Sequence, residues 1–128
     1  GIGWEIYPAG LYNMLMRVRR EYGSLPMYIT ENGAAFKDDT IVNGVVQDSD
    51  RIDYLKSHLA EAKRAMDDGA RIEGYLLWSL MDNFEWSHGY SQRFGLVHVD
   101  FKTLDRSLKK SAYWYREIIK NNGWDQDV

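Results

Sequence analysis

The chain contains no cysteine, which excludes disulfides and thiol chemistry. That absence fits a reducing compartment, and a cytoplasmic protein is the expectation. No apolar run approaches the ~20 residues of a transmembrane helix, so no membrane partner is expected. Neither sign of charge dominates: 16 Lys and Arg against 19 Asp and Glu give a net charge of −3. That balance gives no reason to expect a nucleic acid or an acidic membrane surface as partner. There is no internal repeat, low-complexity stretch or linker, so no domain boundary is visible within residues 1–128. A start methionine is also missing: GIGWEIYP, from Gly1, is neither a signal peptide nor a leader. It reads like the middle of something longer.

What is present is globular. The 128 residues are enough for one ordinary domain. They are 45% hydrophobic and 27% charged, with both signs interspersed. The aromatic share is 14%, with five tryptophans. This is high, and suits either a large core or a surface that grips flat apolar faces.

Pro8 stands where the first residue of a helix tolerates a missing N–H. Leu11, Leu15 and Val18, with Met14, follow at helical spacing, and Gly23 is the expected C′ residue. The stretch LPMYITENGAAF, Leu25 to Phe36, then reads as a buried strand that breaks at Glu31 and turns at Asn32-Gly33. A loop rich in Gly, Asn and Asp is expected over 32–48. Asp48 or Ser49 can cap a second helix with an apolar stripe of Ile52, Leu55, Leu59 and Met66, closed by Gly69. Tyr75 to Leu80 is nearly continuous in apolar character, as expected of a strand covered on both faces. A polar loop, a short strand-like FGLVHVDF and a last helix from about Leu108 to Asn122 complete the order. Buried strands alternating with helices indicate a parallel α/β sheet. Two parallel strands make a poor sheet, because their edges and apolar faces lack partners. The chain is therefore expected to be part of a larger α/β fold.

In parallel α/β folds reactive residues gather at the C-terminal ends of strands. Glu31 is at such an end. So is the loop Met81 to Gln92, with Asp82, Glu85, Trp86 and His88. Carboxylates and aromatics on one side suit sugars, whose C–H faces stack on rings and whose hydroxyls donate to carboxylates. Glycoside hydrolysis needs a carboxylate pair. Plainer readings stand beside these. Glu31 could be a solvated loop residue, and Trp78 a core residue. Glu85 could pair with Arg93, Asp82 could cap a turn, and Phe94 could be an ordinary strand residue. Trp86, in a polar loop, is the better ligand candidate. His58 is expected on a helix surface and His98 in a strand. The three histidines lack zinc-like spacing, so no metal site is expected.

MYITENGAA, Met27 to Ala35, resembles position by position the nucleophile signature of glycoside hydrolase family 1, the β-glucosidase family. WSLMDNFEWSHGYSQRFGLVHVDF, from Trp78, resembles that family's sugar-binding segment. GWEIYPAGLY and KKSAYWYREII are similar to its flanking stretches, in the same order. The resemblance covers essentially the whole chain. It implies a (β/α)8 TIM barrel, of which this chain is the C-terminal part, about strands 7 and 8 with their helices. Residues 1–128 would then be one segment of a single catalytic domain, incomplete by itself.

The resemblance also implies roles. Glu31 is expected to be the nucleophile that forms a glycosyl-enzyme intermediate, unhydrated and kept ionised by its neighbours. Trp78 matches the tryptophan beneath the sugar ring. Glu85 matches the glutamate accepting hydrogen bonds from the distal hydroxyls, and Trp86 the tryptophan contacting the same hydroxyls. Phe94 matches an aromatic of the pocket wall. A carboxylate at position 85 would repel a 6-phosphate. The expected substrate is thus an unphosphorylated β-glucoside or oligosaccharide, with β-galactoside or β-fucoside tolerated; no cofactor is implied. One departure from the family pattern is Leu108, where a proline is usual.

The acid/base glutamate of the family lies in an Asn-Glu-Pro motif, and this chain has none. The expected partner is therefore the N-terminal remainder of the barrel, cleaved from or separate from this chain. Two other readings remain open on the sequence: a noncatalytic sugar-binding piece using Trp78, Trp86 and Glu85, and a purely structural fragment.

Overall fold

A computed structural model describes residues 2–124. Helix α1 (Pro8–Tyr22) begins with its proline and ends at Gly23, whose φ of 82° is the left-handed value a glycine adopts freely. Strand β1 (Met27–Asn32) leads through a small hairpin, β2 (Ile41–Val42) and β3 (Val45–Val46), into helix α2 (Ser49–Asp67). Strand β4 (Ile72–Leu77) lies parallel to β1, with Met27 opposite Ile72 and Asn32 opposite Leu77. After a loop containing a 3-10 turn (Trp86–His88), β5 (Val97–Val99) and β6 (Arg106–Leu108) pair antiparallel, and helix α3 (Lys110–Asn121) follows.

The α/β alternation and the parallel pair agree with the sequence pattern. The core lies where α1 and α2 cover one face of β1 and β4: Leu15, Ile29, Ala62, Ala65 and Ala70 are buried together, with Leu11, Met16, Met27, Ile72 and Tyr75 packed around them. Arg19 Nε ties the end of α1 to this layer by donating to the Gly69 carbonyl at 2.8 Å.

Several expectations need correction. The segment 32–48 is not only loop. Asn43 and Gly44 both have positive φ and close the β2–β3 hairpin, the turn that Asn-Gly between apolar residues favours. The buried face of α2 is Arg51, Ile52, Leu55, His58, Ala62 and Ala65, while Met66 is exposed. The face has turned because Ala62 and Ala65 take core positions beside Leu15 and Ile29, and because Arg51 and His58 find polar partners. His58 is therefore interior, not on the helix surface. Its ring stacks on Tyr54 at 3.9 Å, and its Nδ1 lies 2.7 Å from the Tyr54 carbonyl. Asp48 stands at the N-cap of α2 but makes no capping bond; its carboxylate turns to α3. Leu108 belongs to β6, so α3 starts two residues later than expected. Strand β4 is not covered on both faces: Leu76 is exposed, as is Tyr28 on β1. No helix among the described residues is long and apolar enough to cross a membrane.

Candidate active site

Parallel pairing brings the C-terminal ends of β1 and β4 side by side. Trp78 N–H donates to the Asn32 carbonyl at 2.9 Å, so the Trp78 backbone continues the ladder one step past Glu31. Gly33 is forced at this crossing. A Cβ there would lie 1.7 Å from the Trp78 carbonyl oxygen, inside any contact distance. The Trp78–Ser79 peptide bond is cis. Next to it runs the segment from Arg93. Ser79 N–H donates to the Phe94 carbonyl at 3.2 Å, and Leu96 N–H to the Ser79 carbonyl at 3.0 Å. Phe36 N–H donates to the Arg93 carbonyl, joining the chain after β1 to the same segment. Thus the ends of both motifs singled out in the sequence are stitched together through backbone groups.

The candidate side chains sit on this frame in different ways. Glu31 is exposed, not desolvated as expected; one face of β1 is open in this chain. Behind it the Asn32 amide oxygen accepts from Tyr75 Oη at 2.6 Å, which fixes the strand end from the interior. Burial pushes the Tyr75 hydroxyl pKa far up, so it stays a donor. Trp78 is 39% exposed, leaving part of its ring free, and Trp86 is 83% exposed. Trp86 has φ of 43°, a left-handed value uncommon for a bulky residue. The tight turn around it explains how this is held: Glu85 N–H donates to the Gly89 carbonyl, and His88 N–H to the Glu85 carbonyl. Glu85 is half-buried. Phe94 is only 3% exposed, so its ring supports the frame from behind and presents little surface to a ligand.

Sequence reasoning missed the charged cluster beneath these loops. Asp82 is buried. It accepts from Lys109 Nζ at 2.7 Å, from Arg93, and from the Gly95 backbone N–H at 3.0 Å. Arg93 therefore pairs with Asp82 and not with Glu85, and Asp82 is a hub instead of a turn cap. Burial alone would raise the Asp82 pKa, but Lys109 and Arg93 together hold it below the ordinary carboxylate value. Asp38 takes two N–H groups of Arg51 at 3.0 Å each and one from Lys109. Arg51 also reaches Asp48, whose carboxylate accepts from Ser111. No pattern could have shown this, since Lys109 and Asp38 are 71 residues apart and Lys109 and Asp82 are 27 apart. Among the described residues no three metal-ligating side chains cluster.

A parallel β-α-β unit that carries a carboxylate at one strand end and tryptophans at the next places its reactive groups where α/β folds bind ligands. The comparisons narrow this. The model of glycosyl hydrolase family 1 matches residues 1–124, and the chain belongs to that family. It is 56% identical over 123 residues to β-glucosidase A of Acetivibrio thermocellus, covering 96% of this chain and 28% of that protein. It is 52% identical over 116 residues to a 6-phospho-β-galactosidase of Streptococcus equi subsp. zooepidemicus, covering 90% and 24%. Among solved structures, the family 1 β-glucosidase of Thermotoga maritima in complex with isofagomine lactam superposes with a TM-score of 0.94 at 52% identity, over 97% of this chain and 28% of that one. The chain thus spans about a quarter of the length of these relatives. Over this segment overall identity hardly separates the β-glucosidases from the phospho-β-galactosidases.

Proposed function

We propose that the chain is the C-terminal segment of a retaining β-glucosidase, contributing about strands 7 and 8 of its (β/α)8 barrel as β1 and β4. Residues 1–128 are then part of one catalytic domain in a cytoplasmic enzyme. Glu31 is the nucleophile and attacks the anomeric carbon. Trp78 lies beneath the sugar ring, Glu85 and Trp86 take the distal hydroxyls, and Phe94 backs the pocket wall. The acid/base carboxyl group comes from the N-terminal remainder, about 5 Å from Glu31, as retention requires. The observation that best supports this reading is the hydrogen bond from Trp78 N–H to the Asn32 carbonyl, which sets the nucleophile signature beside the sugar-binding segment.

The exposure of Glu31 follows from the same reading: the strands that would enclose it belong to the remainder. Identity does not choose between plain and phosphorylated sugars, so the choice rests on Glu85. An anionic side chain facing the distal position repels a 6-phosphate and accepts from a free hydroxyl. The substrate class is accordingly unphosphorylated β-glucosides, with β-galactosides or β-fucosides tolerated. The test is a mechanism-based 2-fluoroglucoside applied to the assembled barrel, followed by peptide mapping. Label on Glu31 is expected; label on Glu85 overturns the assignment.

A further inference from the structure

We propose that Lys109 is a positioning residue for the active site, clamping the loop that follows the candidate nucleophile to the loop that carries the candidate sugar-binding glutamate. The inference rests on the roles proposed for Glu31 and Glu85, and adds a residue that touches neither the sugar nor those carboxylates.

The Lys109 side chain is fully buried. Its ammonium donates to Asp38 on one side and to Asp82 on the other. Asp38 lies in the loop after β1, downstream of Glu31, and Asp82 lies three residues before Glu85. Both carboxylates are buried. Without the cation between them two like charges would face each other in a poorly hydrated interior. The rest of the cluster narrows the geometry further. Asp38 has a left-handed φ of 55° and is gripped by both terminal nitrogens of Arg51, a bidentate arrangement that fixes the plane of its carboxylate. Arg51 also donates to the Arg93 carbonyl at 2.7 Å, and Arg93 in turn holds Asp82. Lys109 N–H is anchored on the Leu96 carbonyl at 2.9 Å, so the cation cannot drift with a side chain alone. Two loops that must keep a fixed separation for one sugar to span them therefore share one point charge.

A cluster that served stability alone would, when weakened, lower the unfolding midpoint and leave substrate preference untouched. A positioning residue changes preference in enzyme that is still folded. The experiment uses the barrel assembled from this chain and the N-terminal part. Three variants are compared: Lys109→Met; the charge-balanced double variant Asp82→Asn with Lys109→Met; and the milder Asp38→Asn. The unfolding midpoint, the rate of Glu31 labelling by a 2-fluoroglucoside, and kcat and KM are measured for a nitrophenyl glucoside and for its analogue lacking the distal hydroxyls. The double variant is expected to recover much of the stability lost in Lys109→Met. The preference for the full glucoside should nevertheless fall about tenfold in both, because hydroxyl recognition depends on placement. Asp38→Asn should slow labelling with a smaller change in preference. If the folded variants keep the wild-type preference and labelling rate, the cluster is structural only and the proposal fails. Should the unmutated assembly label elsewhere than Glu31, the functional reading itself fails, a result separable from the first.

Discussion

At position 33 the backbone leaves no room for a side chain. Gly33→Ala would drive a methyl group into the Trp78 carbonyl, and backbone cannot yield as a flexible side chain does. The expected cost is about 1–3 kcal/mol, the scale of an overpacked contact, together with loss of turnover as Glu31 and Trp78 are pushed apart. Chemical denaturation and a nitrophenyl glucoside assay on the assembled barrel check both; an unchanged kcat would show that the crossing does not set the site. Glu31→Gln keeps the shape of the strand end and removes the carboxylate proposed as nucleophile, so turnover of the assembled barrel should fall by several orders of magnitude with little change in stability. Glu85→Ala should weaken transition-state binding of glucosides by about 1.5–3 kcal/mol, the value of a hydrogen bond to a charged group. A substrate lacking the distal hydroxyls should lose much less. Equal losses for both substrates would mean that Glu85 does not read those hydroxyls.

At the level of elements, α1, β1 and the parallel pairing were legible because each rests on a local signal: a proline at a helix start, a glycine at its end, an apolar run before a charge. The buried face of α2 was legible only at Ile52 and Leu55, because apolar periodicity cannot reveal that Arg51 and His58 have interior partners or that Ala62 and Ala65 take core positions. That misreading has a measurable consequence. Burial lowers the pKa of His58 from its ordinary 6.5. His98 is lowered as well, by burial first and by Arg93 second. The folded state resists protonating both rings, so between their folded pKa and 6.5 the unfolded chain binds more protons. Their contribution to stability is thus fully present above pH 6.5 and is lost as pH falls below it. Asp82, lowered from 3.8, stays charged and adds a second loss only below that value. The midpoint of urea unfolding of the assembled barrel, followed from pH 8 to pH 5 at constant ionic strength, should therefore decline, and His58→Gln should flatten the slope. A slope identical in that variant would place the titration elsewhere.

At the scale of the whole molecule the chain reads as unfinished, and both the order of its elements and the structure carry that reading. The pattern of two buried strands indicated a missing sheet, while the motifs indicated a missing acid. The surface gives a magnitude. A compact monomer of 15.0 kDa should expose about 7,000 Å², whereas this chain exposes 8478 Å². The excess, on the order of 1,400 Å², is more than the ~800 Å² that each partner contributes to a standard interface. Apolar side chains on the strands and their ends are among those exposed: Tyr28, Leu76 and Leu80 are 59%, 53% and 67% exposed. Both outer edges of the β1–β4 pair also carry backbone groups without strand partners among the described residues. Such edges recruit other strands unless a barrel closes over them. The isolated chain is therefore expected to self-associate or to unfold without a sharp transition, which light scattering and urea titration would detect. It should not hydrolyse a nitrophenyl glucoside, since one carboxylate at the strand end cannot act as nucleophile and proton donor together. Corefolding with the N-terminal part should restore cooperative unfolding and turnover in the same sample, because one surface supplies both the strand neighbours and the acid. Turnover by the chain alone, abolished by Glu31→Gln, would place an acid within these residues, with Glu85 the first to test.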